Sequence, residues 1–298
     1  MRSRYKLEYH ALMLSDRFFC SMPNPLRHLI SGITGFIIYF IIPIRKGQVI
    51  KNLTIAFPEK SVFWKQLTAL KTYIHFTKVF IDFFFIWKSR SVHFNQYVTS
   101  NSKNLIDDVL SRGKGAVIVM SHFGNWEALC RWFLSNNYRF GAISKRQKNP
   151  LANRMFNTIR ESQGIKLFSM KESPSTILNF LGGNGILGAV ADQDAKKRGI
   201  YIRFFNQFSS TFRGPAVFAL RQKCPLIAGT CILIKGQYIA EFVEISKKDP
   251  SDKSLISDIT QRYTDYFEKK IKAHPEQYLW FHRRWKTRPP ESVEQPVL

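Results

Sequence analysis

Apolar residues recur along this chain in two periods, and their alternation predicts the architecture. Short apolar or β-branched runs at Ala116 to Met120, Arg139 to Ser144, Lys166 to Phe168 and Ile186 to Ala191 read as strands. Between them, Ala128 to Leu134, Leu151 to Ser162 and Ser173 to Leu181 return apolar residues at helical spacing. Strands alternating with helices predict an α/β fold, a single domain with a mainly parallel central sheet flanked by helices. Further on, Ile200 to Phe205 reads as another strand and Gly214 to Gln222 as a helix. Leu226 to Ile234 and Tyr238 to Ile245 predict a hairpin turning at Lys235 to Gln237, and Ser254 to Lys272 a last long helix. No internal repeat or low-complexity linker interrupts the pattern.

The first part of the chain is different. Met1 to Cys20 sets Arg2, Arg4, Lys6 and Arg17 among apolar residues and reads as a basic amphipathic arm. After Pro23-Asn24-Pro25, Leu29 to Ile44 carries no charge and is bounded by Arg27 and by Arg45-Lys46. Its 16 residues reach only about 24 Å as a helix, short of a hydrocarbon core of roughly 30 Å. With no small-residue cleavage site following, a signal peptide is disfavoured. A tilted or partly inserted anchor and a helix buried in the domain remain, and the flanking cations favour the anchor. The expected division is a membrane-associating segment at 1–45, the main domain at 46–289 and a tail at 290–298. Lys60 to Trp87 reads as one long helix or two, dense in phenylalanine toward its end, and Ser102 to Ser111 as a short one.

Charge narrows the partners. Lys plus Arg number 45 against 21 Asp plus Glu, a net +24 in 298 residues, which calls for an anionic partner. With 26 Phe and 6 Trp, many in apolar runs, lipid is a better fit than nucleic acid. The four cysteines show no metal-type spacing or dense disulfide pattern, so a reducing compartment is the simpler expectation.

The chemistry is expected between Ala116 and Leu129, where a buried strand turns into a helix. Gly124 permits a sharp bend, Asn125 is a good N-cap, and Glu127 falls in the first helical turn, where a carboxylate suits the helix dipole. Five residues on one helix would place His122 and Glu127 well over a right angle apart, so the bend between them has to bring them together. The carboxylate would then hold one tautomer of the imidazole, leaving the other nitrogen to take a proton from a bound hydroxyl. The competing reading is a helix cap with a dipole-facing glutamate. Ser121 sits on the opposite face of the strand from His122, and no Gly-x-Ser-x-Gly elbow is present, so no seryl intermediate is expected.

Four stretches carry a resemblance. The His-x4-Glu of His122 to Glu127 (HFGNWE) is similar to the first motif of the lysophospholipid acyltransferase superfamily, in the form found in the bacterial lipid A biosynthesis acyltransferases. Asn52 to Glu59 (NLTIAFPE), Ala191 to Asp194 (ADQD) and Pro275 to Lys286 (PEQYLWFHRRWK) resemble that family's other signatures, in order. The resemblance implies a fatty acyl transfer from acyl carrier protein, or from acyl coenzyme A, to a lipid A precursor or related lipid. It also implies attachment to the cytoplasmic face of the inner membrane, with no metal and no cofactor. By the same resemblance Arg146 and Arg160 match family arginines suited to an oxyanion or a substrate phosphate, and Asp192 and Asp194 fall in a loop beside the acceptor pocket. The sequence departs from the family pattern at Arg213-Gly214 and Ala228-Gly229, which leaves acceptor and chain length open.

Two rival functions are weighed. Asp192 and Asp194 spell the Asp-x-Asp of a metal-dependent glycosyltransferase, but Lys196-Lys197-Arg198 follow at once and would repel the cation. A non-enzymatic basic binder of membrane or nucleic acid would leave His122 without a task. The dinucleotide spelling Gly183-x-Gly185-x-x-Gly188 is set aside because it leads from a helix into a strand, the reverse of the fingerprint's context.

Overall fold

The computed structural model describes residues 3–89, 91–245 and 255–290. Residues 291–298 of the expected tail, and Ser254 at the start of the last helix, lie outside the described residues. In chain order the elements are α1 (Ser3–Phe19), α2 (Asn24–Phe40), α3 (Lys46–Ala56), α4 (Val62–Lys88), α5 (Ser91–Tyr97), β1 (Val98–Ser100), α6 (Lys103–Ser111), β2 (Ala116–Gly124), α7 (Trp126–Ser135), β3 (Phe140–Ser144), α8 (Pro150–Glu161), β4 (Lys166–Ser169), α9 (Pro174–Gly182), β5 (Ile186–Val190), β6 (Ile200–Phe204), β7 (Gln207–Thr211), α10 (Gly214–Gln222), β8 (Leu226–Ile234), β9 (Gln237–Glu244) and α11 (Leu255–Ala273).

Seven strands form one sheet in the order β1-β9-β8-β2-β5-β3-β4. Every pairing in it is parallel except β8 with β9, the expected hairpin. The mixed α/β architecture with a mainly parallel sheet is therefore as the residue pattern predicts. β2 lies in the middle and is buried nearly throughout, because both its neighbours and the helices on both faces cover it. Ile200 to Phe204 is a strand, but it pairs with β7 in a separate antiparallel hairpin rather than joining the sheet.

Local chemistry sets the helix starts. The Ser61 side chain accepts from Trp64 N to open α4 as one unbroken helix. Asn149 does the same for α8 with Pro150 at the first helical position, and Asn125 for α7 through Ala128 N. α2 runs against α4 through Gly35, where an added Cβ would meet Ile74 Cα at 2.6 Å. Its inner face is Arg27, Ser31, Gly35 and Tyr39, and its outer face leaves Leu26, Leu29, Ile33, Phe36, Ile37 and Phe40 exposed. α1 has no buried residue and is held to α8 and α4 by polar contacts, Asn149 Nδ2 donating to Tyr5 O and Glu8, and Lys88 pairing with Asp16. Among the described residues no helix is long and apolar enough to cross a membrane.

Candidate active site

The site begins where parallel register brings two strand ends together. Met120 on β2 pairs with Val190 on β5, so His122 and Asp192, each two residues further on, emerge side by side at the C-terminal edge of the sheet. His122 Nδ1 lies 2.7 Å from Asp192 Oδ1, while His122 N and Ser121 Oγ both donate to Asp192 Oδ2 at 2.9 Å. Burial alone would push the Asp192 carboxyl up, but the imidazole and these hydrogen bonds overcome it and bring its pKa down to about 2. Asp192 is thus an anion that fixes the ring and its tautomer. His122 Nε2, on the far side of the ring, has Gln193 Nε2 at 3.4 Å as its protein neighbour.

The group holding Nδ1 is therefore Asp192 and not Glu127, which turns elsewhere. From the first turn of α7 the Glu127 carboxylate points toward α4 and α8 and meets Arg160 twice, Nη2 to Oε1 at 2.6 Å and Nε to Oε2 at 3.1 Å. Two indole N–H groups complete it, Trp87 at 2.9 Å and Trp126 at 3.2 Å. A buried carboxylate needs a cation and filled lone pairs, and this pocket supplies both. Burial works to lower the Arg160 pKa, and Glu127 outweighs it so that the net direction is upward. Among the described residues Glu127 does not touch His122; it bonds Trp126, whose ring stands edge-on to the imidazole at 4.8 Å between centroids.

The other expected residues separate. Arg146 is exposed after β3 and has no partner among the described residues. Asp194 does not join Asp192: it accepts from Lys196 N at 3.1 Å and from Thr287 Oγ1 at 2.9 Å. The oxygens of the two aspartates are committed to different protein partners, which weakens the Asp-x-Asp reading.

One residue at the site, His75, was not singled out from sequence. His75 on α4 donates from Nε2 to Gly124 O at 3.1 Å, and burial brings its pKa down to about 4, so it is a neutral tether for the bend. Gly124 itself has φ +63, and a Cβ there would lie 2.0 Å from Cys231 O. The signal for His75 was a polar side chain on the inward face of a helix. Arg284 is buried, with Nη1 on Ser210 O at 2.6 Å and Nη2 on Thr211 Oγ1. It shares a small enclosed void with Asp192 and Ser121.

Long-range contacts gather the four motif-bearing stretches into one place. Asn52 on α3 donates from Nδ2 to both Trp280 O and His282 O at 2.6 Å, Leu279 N donates to His122 O at 3.0 Å, and Phe123 bridges to Tyr278. From His122 a row of rings leads outward: Trp126, Phe76, Phe281, Tyr73, Tyr39 and Phe40, each within 4.8 to 6.2 Å of the next. It ends at the exposed apolar end of α2, beside Ile41, Ile42 and Ile44.

Comparison with known proteins agrees with this assembly. Phosphatidylinositol mannoside acyltransferases of Mycobacterium tuberculosis are 25% identical to the chain over 187 residues, covering 60% of it and 57% of their own length. That of Mycolicibacterium smegmatis is 25% identical over 183 residues, 59% of this chain and 58% of its own. The chain thus spans under three-fifths of the length of the curated relatives it matches. Residues 8–287, which include all four stretches and every side chain placed at the site, match one family throughout. The chain belongs to the bacterial lipid A biosynthesis acyltransferases.

Proposed function

We propose that this protein is an O-acyltransferase that moves a fatty acyl chain from acyl carrier protein, or acyl coenzyme A, to a hydroxyl of a lipid A precursor or related glycolipid. The observation that carries the reading is the 2.7 Å contact of Asp192 Oδ1 with His122 Nδ1, which leaves Nε2 as the base. The acceptor hydroxyl attacks the thioester carbonyl carbon as its proton passes to Nε2, and Asp192 stabilises the imidazolium formed. The tetrahedral oxyanion then collapses, the carbon–sulfur bond breaks, and the thiolate takes the proton back from His122. No step requires a metal. Glu127 and Arg160 are positioning residues that hold Trp126 against the imidazole, rather than orienting the ring themselves.

The surroundings suit the substrates. The row of rings from Trp126 to Phe40 offers an acyl chain an apolar wall between the imidazole and the exposed end of α2. Exposed Lys145, Arg146 and Lys148 after β3, and Lys196, Lys197 and Arg198 after β5, stand on the same edge of the sheet as His122. A basic rim there suits an acidic carrier protein and a phosphate-bearing acceptor. Asp194 borders the acceptor side through Thr287. The exposed row of α2 would rest in the cytoplasmic face of the inner membrane without spanning it.

Asp192→Asn is the direct test, because it keeps the shape while removing the charge and permitting the wrong tautomer. We expect kcat for acyl transfer to fall about 10²–10⁴-fold with KM little changed, and His122→Ala to abolish transfer. Near-normal transfer by His122→Ala in purified membranes would overturn the reading.

A further inference from the structure

On the face of α4 opposite Tyr73 and Phe76 lies a cavity of about 290 Å³ lined by His28, Lys71, His75, Lys78, Lys235 and Glu276, among others. It sits between α2, α4 and the β8–β9 turn, apart from the ring-lined side that leads to His122. Behind Lys78, which lines it, lies a charge imbalance. Arg27 Nε and Lys78 Nζ share one carboxylate, Asp82, at 3.0 and 2.7 Å, and all three side chains are at most 3% exposed. Tyr97 donates to that same carboxylate at 2.6 Å and Tyr238 contacts it at 3.3 Å, so its lone pairs are taken. Two cations against one anion leave a buried unit of positive charge, met within the chain by neutral groups: Met22 O and Asn24 Oδ1 accept from Arg27, Asn24 Oδ1 also from Lys78, and the Phe85 ring lies 3.8 Å from the Arg27 guanidinium.

The field of this excess reaches the cavity. Burial pulls the Lys78 pKa down, and only Asp82 opposes it; the His28 imidazole is likewise lowered by burial and then by Lys78. At the mouth, Lys71 and Lys235 are exposed and have no ion-pair partner among the described residues. The single carboxylate, Glu276, faces His274 at 3.9 Å. His75 is among the lining residues, and because Nε2 donates to Gly124 O, its Nδ1 carries a lone pair suited to the hydroxyl of a protonated phosphate.

We propose that this cavity is a second ligand site, for a phosphate group, with the buried Arg27–Asp82–Lys78 excess and the Lys71 and Lys235 ammoniums as its counter-charge. The chemistry is shared by a phospholipid headgroup and by free phosphate. Occupancy neutralises the wall of α2 and α4, and through His75 it touches the backbone of the catalytic bend. The proposal does not depend on the acyl-transfer reading, since neither lysine takes part in that chemistry.

The test uses detergent-purified full chain titrated with inorganic phosphate, followed by phosphorus NMR line broadening, and in parallel by sedimentation with phosphatidylcholine vesicles with and without phosphatidylglycerol. Lys71→Gln/Lys235→Gln is compared with Lys51→Gln/Lys269→Gln, which removes the same charge elsewhere. We expect saturable phosphate binding that the first pair weakens about tenfold or more and the control pair leaves intact, with the basal acyl-transfer rate of both unchanged. If the first pair also selectively weakens the phosphatidylglycerol-dependent vesicle binding, the source is a lipid headgroup. If vesicle binding is equal in the two pairs while phosphate binding differs, the source is free phosphate. Lys78→Met, which leaves Arg27 and Asp82 balanced, should remove the affinity as well; where that variant does not fold, the exposed Lys71 and Lys235 pair decides. No saturable phosphate binding, or equal weakening by both pairs, overturns the proposal.

Discussion

Asp192 and Glu127 stand near the same imidazole, and the donors around each decide what it does. Asp192 receives an imidazole, a backbone N–H and a hydroxyl, all from Ser121 and His122, so its charge is spent on the imidazole and the strand end that carries it. Glu127 receives a bidentate guanidinium and two indoles, so its charge holds three elements together. Removing one partner of such a buried pair strands the other: Glu127→Gln is expected to cost about 3–5 kcal/mol in urea unfolding. Arg160→Gln added to it should recover a large part, a double-mutant coupling that measures the pair. His75 has a separate signature. Its folded pKa, about 4, lies below the ordinary 6.5, so the unfolded chain takes the proton first as pH falls. Stability from this group is intact above about pH 6.5 and is lost as pH falls toward 4, by about 3 kcal/mol at roughly 1.4 per unit. In His75→Gln, which keeps a donor for Gly124 O, the unfolding midpoint should stay flat relative to wild type across that window.

At the scale of elements, the sheet strands and long helices were readable because period and length agreed. The elements that the residue pattern does not announce share a physical cause, dependence on partners distant in sequence or on unusual backbone. β1 is three residues long and exists only because β9 offers it an edge, and α3 mixes polar and apolar residues without a clean stripe. The β6–β7 hairpin turns on Phe205 and Asn206, both at positive φ, and a phenylalanine in that conformation hides the turn that the Gly236 of the β8–β9 hairpin announces. His122 and Asp192 were each legible as candidates; their contact was not, because it depends on β2 and β5 being neighbours across 70 residues of chain. The partner of Glu127 was hidden for the same reason, Arg160 arriving from α8. Between helices, the close approach at Gly35 gives a prediction. A larger side chain there cannot fit against Ile74 without parting α2 from α4, so Gly35→Val should lower stability by several kcal/mol and expose α2 to proteolysis. A variant at Gly32, where an added Cβ meets nothing within 4 Å, is the matched control and should differ only by a few tenths.

Over the whole molecule, exposed apolar surface and cations gather on one face. The outer row of α2, the bend at Ile41 to Ile44, and Val62 and Phe63 at the start of α4 lie together, because α2 and α4 run antiparallel with Tyr39 beside Gln66. Lys46 sits over the Tyr39 ring at 3.8 Å, and Lys60 lies by Trp64, placing ammoniums beside the apolar surface as at a lipid boundary. A bilayer would therefore be met by two terms that respond to different perturbations. The net +24 attracts anionic lipid and is screened as ionic strength rises past the point where the Debye length falls to about 8 Å. The apolar term is not screened. Ile41 and Phe63 are 71% and 77% exposed, and burying such side chains is worth about 1.5–3 kcal/mol each. Ile41→Ser/Phe63→Ser should thus weaken vesicle partitioning by at least about tenfold at every salt concentration, leaving the slope against salt as in wild type. Wild-type partitioning that vanishes at high salt, or a double variant that binds as wild type does, would mean that charge alone holds the protein to the membrane and that α2 does not enter it.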